Sequence, residues 1–112
     1  MIIHSVDKQE IADTPHKVDV RRMYDQPSAQ VMHMTLHPGQ SLKPHITPVD
    51  VFFYILEGVC AVQVGEETID VGADHLVESP KGIIHCLSNN SDALTRILVV
   101  KAPRPEMKAK MV

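Results

Sequence analysis

Between residues 38 and 82 a glycine or proline interrupts the chain at positions 38, 39, 44, 48, 58, 65, 72, 80 and 82. Proline removes a backbone donor and glycine weakens any regular element it sits in, so a helix cannot run through this spacing cheaply. The widest clear stretch, Val49–Glu57, is filled by Val, Phe, Tyr, Ile and Leu. Helices average about 11–12 residues, whereas strands need only about 5–6 and favour β-branched and aromatic side chains. The middle of the chain is therefore read as β structure.

The rest follows from the same punctuation. Ile2–Val6 and Val18–Tyr24 read as short strands around a Pro-containing loop, with Lys8–Ala12 a helical turn. Val31–Leu36, Val51–Leu56, Val59–Val64, Thr68–Val71, Leu76–Glu78, Ile84–Leu87 and Leu94–Val100 read as strands. The turns between them are His37-Pro38-Gly39-Gln40, Glu57-Gly58, Gly65-Glu66-Glu67, Gly72-Ala73-Asp74, Ser79-Pro80-Lys81-Gly82 and Asn89-Asn90-Ser91-Asp92. Short strands with regular turn signals indicate an all-β sandwich or barrel. One domain is expected over 1–112: N-terminal strands and loop over 1–30, barrel over 31–101, and an extended tail over 102–112. Pro103 and Pro105 keep that tail out of a central strand.

Charge narrows the partners. Eleven Lys and Arg against 14 Asp and Glu leave a net charge of −3, and the only basic cluster is Lys108–Lys110. A nucleic-acid face needs a basic stripe, so none is expected. The longest apolar run, Val51–Leu56, is far below the roughly 20 residues of a membrane span, so no membrane partner is expected. The opening Met-Ile-Ile-His-Ser-Val-Asp-Lys lacks a basic start, apolar stretch and cleavage site. Cys60 and Cys86 are too few for a disulfide framework and read as free thiols. The expected location is the cytoplasm.

Two stretches carry more than strand positions. In the first, Gly39 is followed after five residues by His45-Ile46-Thr47, after three more by Val51, and after six more by Gly58. The second is Pro80-Lys81-Gly82-Ile83-Ile84-His85, then three residues, then Asn89. These resemble the two motifs of the cupin superfamily, and the Asp50…Tyr54-Ile55-Leu56-Glu57-Gly58 phrase is similar as well. The resemblance covers Thr35 to about Val100. It implies a double-stranded β-helix, a jelly-roll-like barrel, with a divalent metal such as Fe, Mn, Zn or Ni in its pocket. In the metal-binding pattern the first motif supplies His-x-His and a Glu, and the second supplies one His. Here His45 and His85 stand at two of those positions, while Thr47 and Val51 occupy the other two.

Alternation along strands places His45 and Thr47 on one face, and Val51 and Phe53 together on the next strand. With His45 facing inward, Thr47, Val51 and Phe53 line the pocket. A minimal metal site would then consist of His45, His85 and water, with Glu78 or Asp50 as the candidate supplementary carboxylate. Such a site implies small-molecule oxygenase, isomerase or lyase chemistry. The alternatives are a metal-free module that binds or senses a small polar ligand through the two histidines, and a structural domain with a vestigial pocket.

The remaining chemistry-bearing residues have plainer readings. His33 and His37 alternate with Met32, Met34 and Leu36, which places both on the outer face. His4, His16 and His75 are expected at the surface. Ser41, Ser79 and Ser88 lack a Gly-x-Ser-x-Gly context, so no serine nucleophile is marked. Val51–Leu56 is apolar on both faces, so Phe52 and Tyr54 need cover from outside the pocket layer. That, with the pairing common among cupins, leads to the expectation of a homodimer.

Overall fold

The computed structural model describes residues 1–112 and contains ten strands. They are β1 (Asp19–Gln26), β2 (Ala29–Leu36), β3 (His45–Ile46), β4 (Val51–Glu57), β5 (Val59–Val64), β6 (Glu67–Gly72), β7 (Leu76–Ser79), β8 (Ile84–Ser88), β9 (Thr95–Lys101) and β10 (Lys110–Met111). One antiparallel sheet has the order β1-β2-β9-β4-β7 and the other β10-β3-β8-β5-β6. No helix is long and apolar enough to cross a membrane.

Sequence period determines what each sheet turns inward. On β4, Val51, Phe53 and Ile55 are buried, while the alternating Phe52, Tyr54 and Leu56 are only half-buried. On β9 the inward set is Thr95, Ile97, Val99 and then Lys101. Leu36, Ile55, Leu87, Ile97, Cys60 and Val62 pack one part of the interior completely, each at most 3% exposed. Met32, Met34, Val51, Phe53 and Val99 belong to the same core but also line an open cavity.

Two polar devices hold the turns. Gly58 joins β4 to β5 across the two sheets with φ of +78°, and a Cβ there would collide with the carbonyl oxygen of Leu94. Asn89 is fully buried, and its Nδ2 donates to the Leu36 and Ala93 carbonyls at 2.8 Å each. Its Oδ1 accepts from the Ser91 amide at 3.0 Å and hydroxyl at 2.7 Å, so the loop between β8 and β9 is tied to the end of β2.

The ends of the chain differ from the sequence expectations. Ile2–Val6 forms no strand, because nothing pairs with it; Met1, Ile2 and Ile3 are exposed. The helical turn lies at Val6–Lys8, as a single 3₁₀ turn, rather than at Lys8–Ala12. The tail does not simply run over the surface. After Pro105 it returns to the barrel, where Lys110 and Met111 pair with Ile46 and His45.

His33 also departs from expectation. It does sit on the outer face of β2, opposite Arg21 and Leu98, but it is only 1% exposed. The Arg21 guanidinium donates to the Val6 and Gln9 carbonyls at 3.0 and 3.4 Å, which ties the N-terminal segment over this face. Burial and the charge of Arg96 hold the His33 pKa below its ordinary value, and neither ring nitrogen has a partner.

Candidate functional site

The open part of the barrel is a cavity of about 470 Å³. Its inner wall comes from strand-borne residues: Val51 and Phe53 of β4, Met32 and Met34 of β2, His45 of β3, His85 of β8 and Lys101 of β9. Thr47 lies just beyond β3. The mouth is framed by the loop Asp13–His16 and by the returning tail, Pro105–Ala109 with Met111. A cavity of this size, mostly apolar with a few convergent polar groups, suits a small organic molecule.

His45 and His85 face each other because β3 and β8 pair in register at these two residues. Their Nε2 atoms are 3.0 Å apart and their rings meet edge to face, with centroids 4.4 Å apart. The protons of this pair follow from its partners. The Lys43 carbonyl can only accept, so His45 Nδ1 donates to it at 2.8 Å. In a neutral ring Nε2 is then an acceptor, and His85 Nε2 must be the donor. His85 Nδ1 in turn accepts from the Ser79 hydroxyl at 2.7 Å. Thr47 Oγ1, at 3.1 Å from His85 Nε2, accepts from the same proton. The edge of Phe53 closes the floor, its centroid 5.3 Å from that of His85.

A third imidazole joins them. His16, expected at the surface, tilts against His45 with centroids 4.7 Å apart. The Lys43 amide donates to His16 Nδ1 at 3.0 Å, so the neutral ring carries its proton on Nε2. That proton has no partner within the chain, and it is the free imidazole donor of the cavity. Burial first, and the positive neighbours His45, Lys101 and Lys43 next, lower the His16 pKa to about 4. Burial likewise brings His85 to about 4, with His45, Lys101 and His16 adding to the effect. His45 is lowered by burial and by Lys101, against a hydrogen bond to Lys43 that works the other way. At neutral pH all three are uncharged.

The fixed charge of the inner cavity is therefore Lys101. It follows Thr95, Ile97 and Val99 on the inward face, opposite Val51 and Gln30 on the neighbouring strands. It forms no ion pair, and burial pushes its ammonium below the usual lysine range. The other cavity charges are engaged or peripheral. Arg22 pairs with Asp25 at 3.7 Å and Asp13 with Lys17 at 3.2 Å, while Glu106 and Lys108 are exposed on the tail.

The two candidate carboxylates lie elsewhere. Glu78 pairs across β7 and β4 with Phe52 and is exposed on the outer face, because it has the opposite parity to Ser79. Asp50 is exposed before β4, where its Oδ1 accepts from the Lys81 amide at 2.9 Å. No group of three His, Cys, Asp or Glu side chains is arranged to hold a metal ion. A catalytic zinc keeps three protein ligands, and an oxygenase iron keeps two His and a carboxylate. The Nδ1 atoms of His16, His45 and His85 are all engaged in hydrogen bonds, the Nε2 atoms of His45 and His85 bond each other, and an unpaired ammonium beside them repels a dication. The residues present do not fit a resident divalent metal.

Sequence reasoning missed His16 and Lys101 for different reasons. His16 reaches the site through a tertiary contact with Lys43, and no local pattern marks it. Lys101 was legible: the alternation Thr95, Ile97, Val99 continues to it, and a lysine on an inward stripe is a signal in itself.

The site lies on a scaffold shared with known proteins. The chain aligns over 94% of its length with all of TT1209 from Thermus thermophilus, at 31% identity and a TM-score of 0.80. The polyketide cyclase RemF from Streptomyces resistomycificus covers the whole chain with 84% of its own, at 22% identity and a TM-score of 0.84. KdgF from Halomonas sp. matches 89% of the chain with 93% of its own, at 16% identity and a TM-score of 0.76. At those last two identities the likeness is one of fold. A search of curated proteins matched none. A family model described as the Cupin domain matches residues 32–101, which span both motifs and every strand from β3 to β9. The chain is a member of the cupin family, with a double-stranded β-helix fold.

Proposed function

We propose that this cupin is a binding module for a small organic anion, a carboxylate above all, held in the barrel cavity without a resident metal. The observation that carries the reading is Lys101. A half-buried ammonium with no carboxylate partner is costly, and a bound anion is what relieves that cost. The free Nε2–H of His16 supplies a directional donor at the same cavity, and Val51, Phe53, Met32 and Met34 supply apolar cover for a short carbon skeleton. The His45–His85–Ser79 chain uses its hydrogen bonds internally and serves to fix the shape of the floor.

The test is thermal unfolding against a panel of short carboxylates at low ionic strength. A ligand present at about 100 times its Kd stabilises a one-site protein by about 2.7 kcal/mol. Lys101→Met should abolish the stabilisation, while Lys8→Met, exposed and away from the cavity, should leave it. No stabilisation by any anion, or stabilisation that survives Lys101→Met, refutes the reading. About one equivalent of bound metal, lost in both His45→Ala and His85→Ala, would replace it with a two-histidine metal site.

Two further parts of the proposal rest on the outer surface and the thiols. The chain pairs with a second copy through the outer face of the β1-β2-β9-β4-β7 sheet, where Phe52, Tyr54, Leu98 and Val100 are only half-buried. It works in the cytoplasm, where buried free thiols such as Cys60 and Cys86 stay reduced.

A further inference from the structure

We infer that Lys101 is a nucleophile as well as a charge: the cavity forms a reversible imine with a small oxo acid, such as a 2-oxo carboxylate. This rests on the anion-binding reading, since the carboxylate is what brings the carbonyl to the amine.

Three observations support it. Lys101 is the inward lysine of the barrel, at the end of the apolar stripe Ile97–Val99, and it is paired with no acid that would hold it as ammonium. Burial favours its neutral form, and a lysine desolvated in an apolar pocket is the form that attacks carbonyls. The cavity also holds donors for both ends of an oxo acid. His16 Nε2–H is free to polarise an oxygen, and the exposed Arg22 guanidinium, paired with Asp25 at 3.7 Å, stands at the rim of the same cavity.

The chemistry balances without an oxidant or reductant. Lys101 loses a proton to water, and its Nζ lone pair adds to the carbonyl carbon while the C=O π pair moves to oxygen. A proton passes from nitrogen to that oxygen and gives a carbinolamine. The hydroxyl takes up one more proton and leaves as water, as the nitrogen lone pair forms C=N. The net change is an ammonium plus a carbonyl giving a protonated imine plus water, and hydrolysis reverses it.

The experiment incubates the full-length protein with pyruvate or glyoxylate and sodium cyanoborohydride. Intact mass and peptide mapping then locate any reduced adduct. One adduct per chain on the peptide holding Lys101 is expected, formed faster than on Lys43 or Lys108, and competed away by propionate, which has the carboxylate but no carbonyl. Lys101→Arg keeps the cation and should lose the adduct while propionate still raises the melting temperature. Peptide mapping of the wild-type protein decides the matter even where that variant does not fold. Propionate stabilisation with no adduct at Lys101, or with adducts spread evenly over the lysines, overturns the imine and leaves the anion reading standing. An adduct at Lys101 without propionate stabilisation or competition keeps the imine and overturns the anion reading. The absence of both overturns both.

Discussion

Acid should unfold this barrel through its histidines before its carboxylates. His85 is 2% exposed, with its pKa lowered from 6.5 to about 4. Between those two values the unfolded chain binds a proton that the native site refuses. Stability is thus fully present above about pH 6.5 and is lost as the pH falls toward about 4, below which His85 contributes no further loss. At about 1.4 kcal/mol per pKa unit the full effect is about 3 kcal/mol, most of which has gone by pH 4.5. His16 works in the same direction, with a smaller contribution because it is only half-buried. For a domain of this size a loss of that order lowers the melting temperature by about 10 °C. Urea unfolding of wild type and His85→Gln at about pH 7.5, 6.0 and 4.5 isolates the effect, since exposed carboxylates contribute equally to both. His85→Gln should be the less stable protein at pH 7.5, having lost its bonds to Ser79 and His45, but its stability should fall less by pH 4.5. Two curves falling in parallel would refute the assignment of a buried neutral His85.

The other predictions concern backbone and surface. Gly58→Ala should cost at least about 2 kcal/mol in chemical denaturation, because a left-handed residue gains a Cβ that meets the Leu94 carbonyl; a loss below about 0.5 kcal/mol would show that the β4–β5 junction relaxes freely. Sedimentation at about 10 μM should give the mass of two chains, and Phe52→Glu should reduce it to one, since an interface core does not tolerate an unpaired charge. A wild-type mass of one chain refutes pairing through the outer face.

The fold was legible because its information is local. Gly and Pro mark the turns, and period-two alternation on β4 and β9 says which side is inward. What failed was non-local. Ile2–Val6 has strand composition, but a strand exists only against a partner, and the edge strand β1 pairs with β2 and offers only a single bridge at Ile11. Lys110–Met111 has no apolar alternation, yet it pairs with β3 because the tail turns back toward a free sheet edge. At the site, His45, His85, Thr47, Val51 and Phe53 were placed by motif spacing and strand parity, and all five line one cavity. Parity also disqualifies Glu78, which alternates with the buried Ser79 and so must face outward. Asp50 was beyond parity, since its direction is set by the Lys81 amide across the loop.

Thr47, Val51 and Lys101 line one cavity, and Val51 faces Lys101 across the β4–β9 ladder. In the metal-binding pattern, a His and a Glu at the positions of Thr47 and Val51 would complete a cage for a dication. Here Val51 offers no charge, and the residue opposite it on β9 is Lys101. A carboxylate at position 51 would face that ammonium and neutralise it, leaving the cavity without a free charge. Without it, Lys101 stays unpaired and the inner cavity keeps a positive centre bonded covalently to its own backbone. A metal offers open coordination positions; a half-buried amine offers a charge when protonated or a lone pair when neutral. With valine rather than a carboxylate at position 51, nothing opposite Lys101 on β4 pairs with its amine, so the two positions are read together.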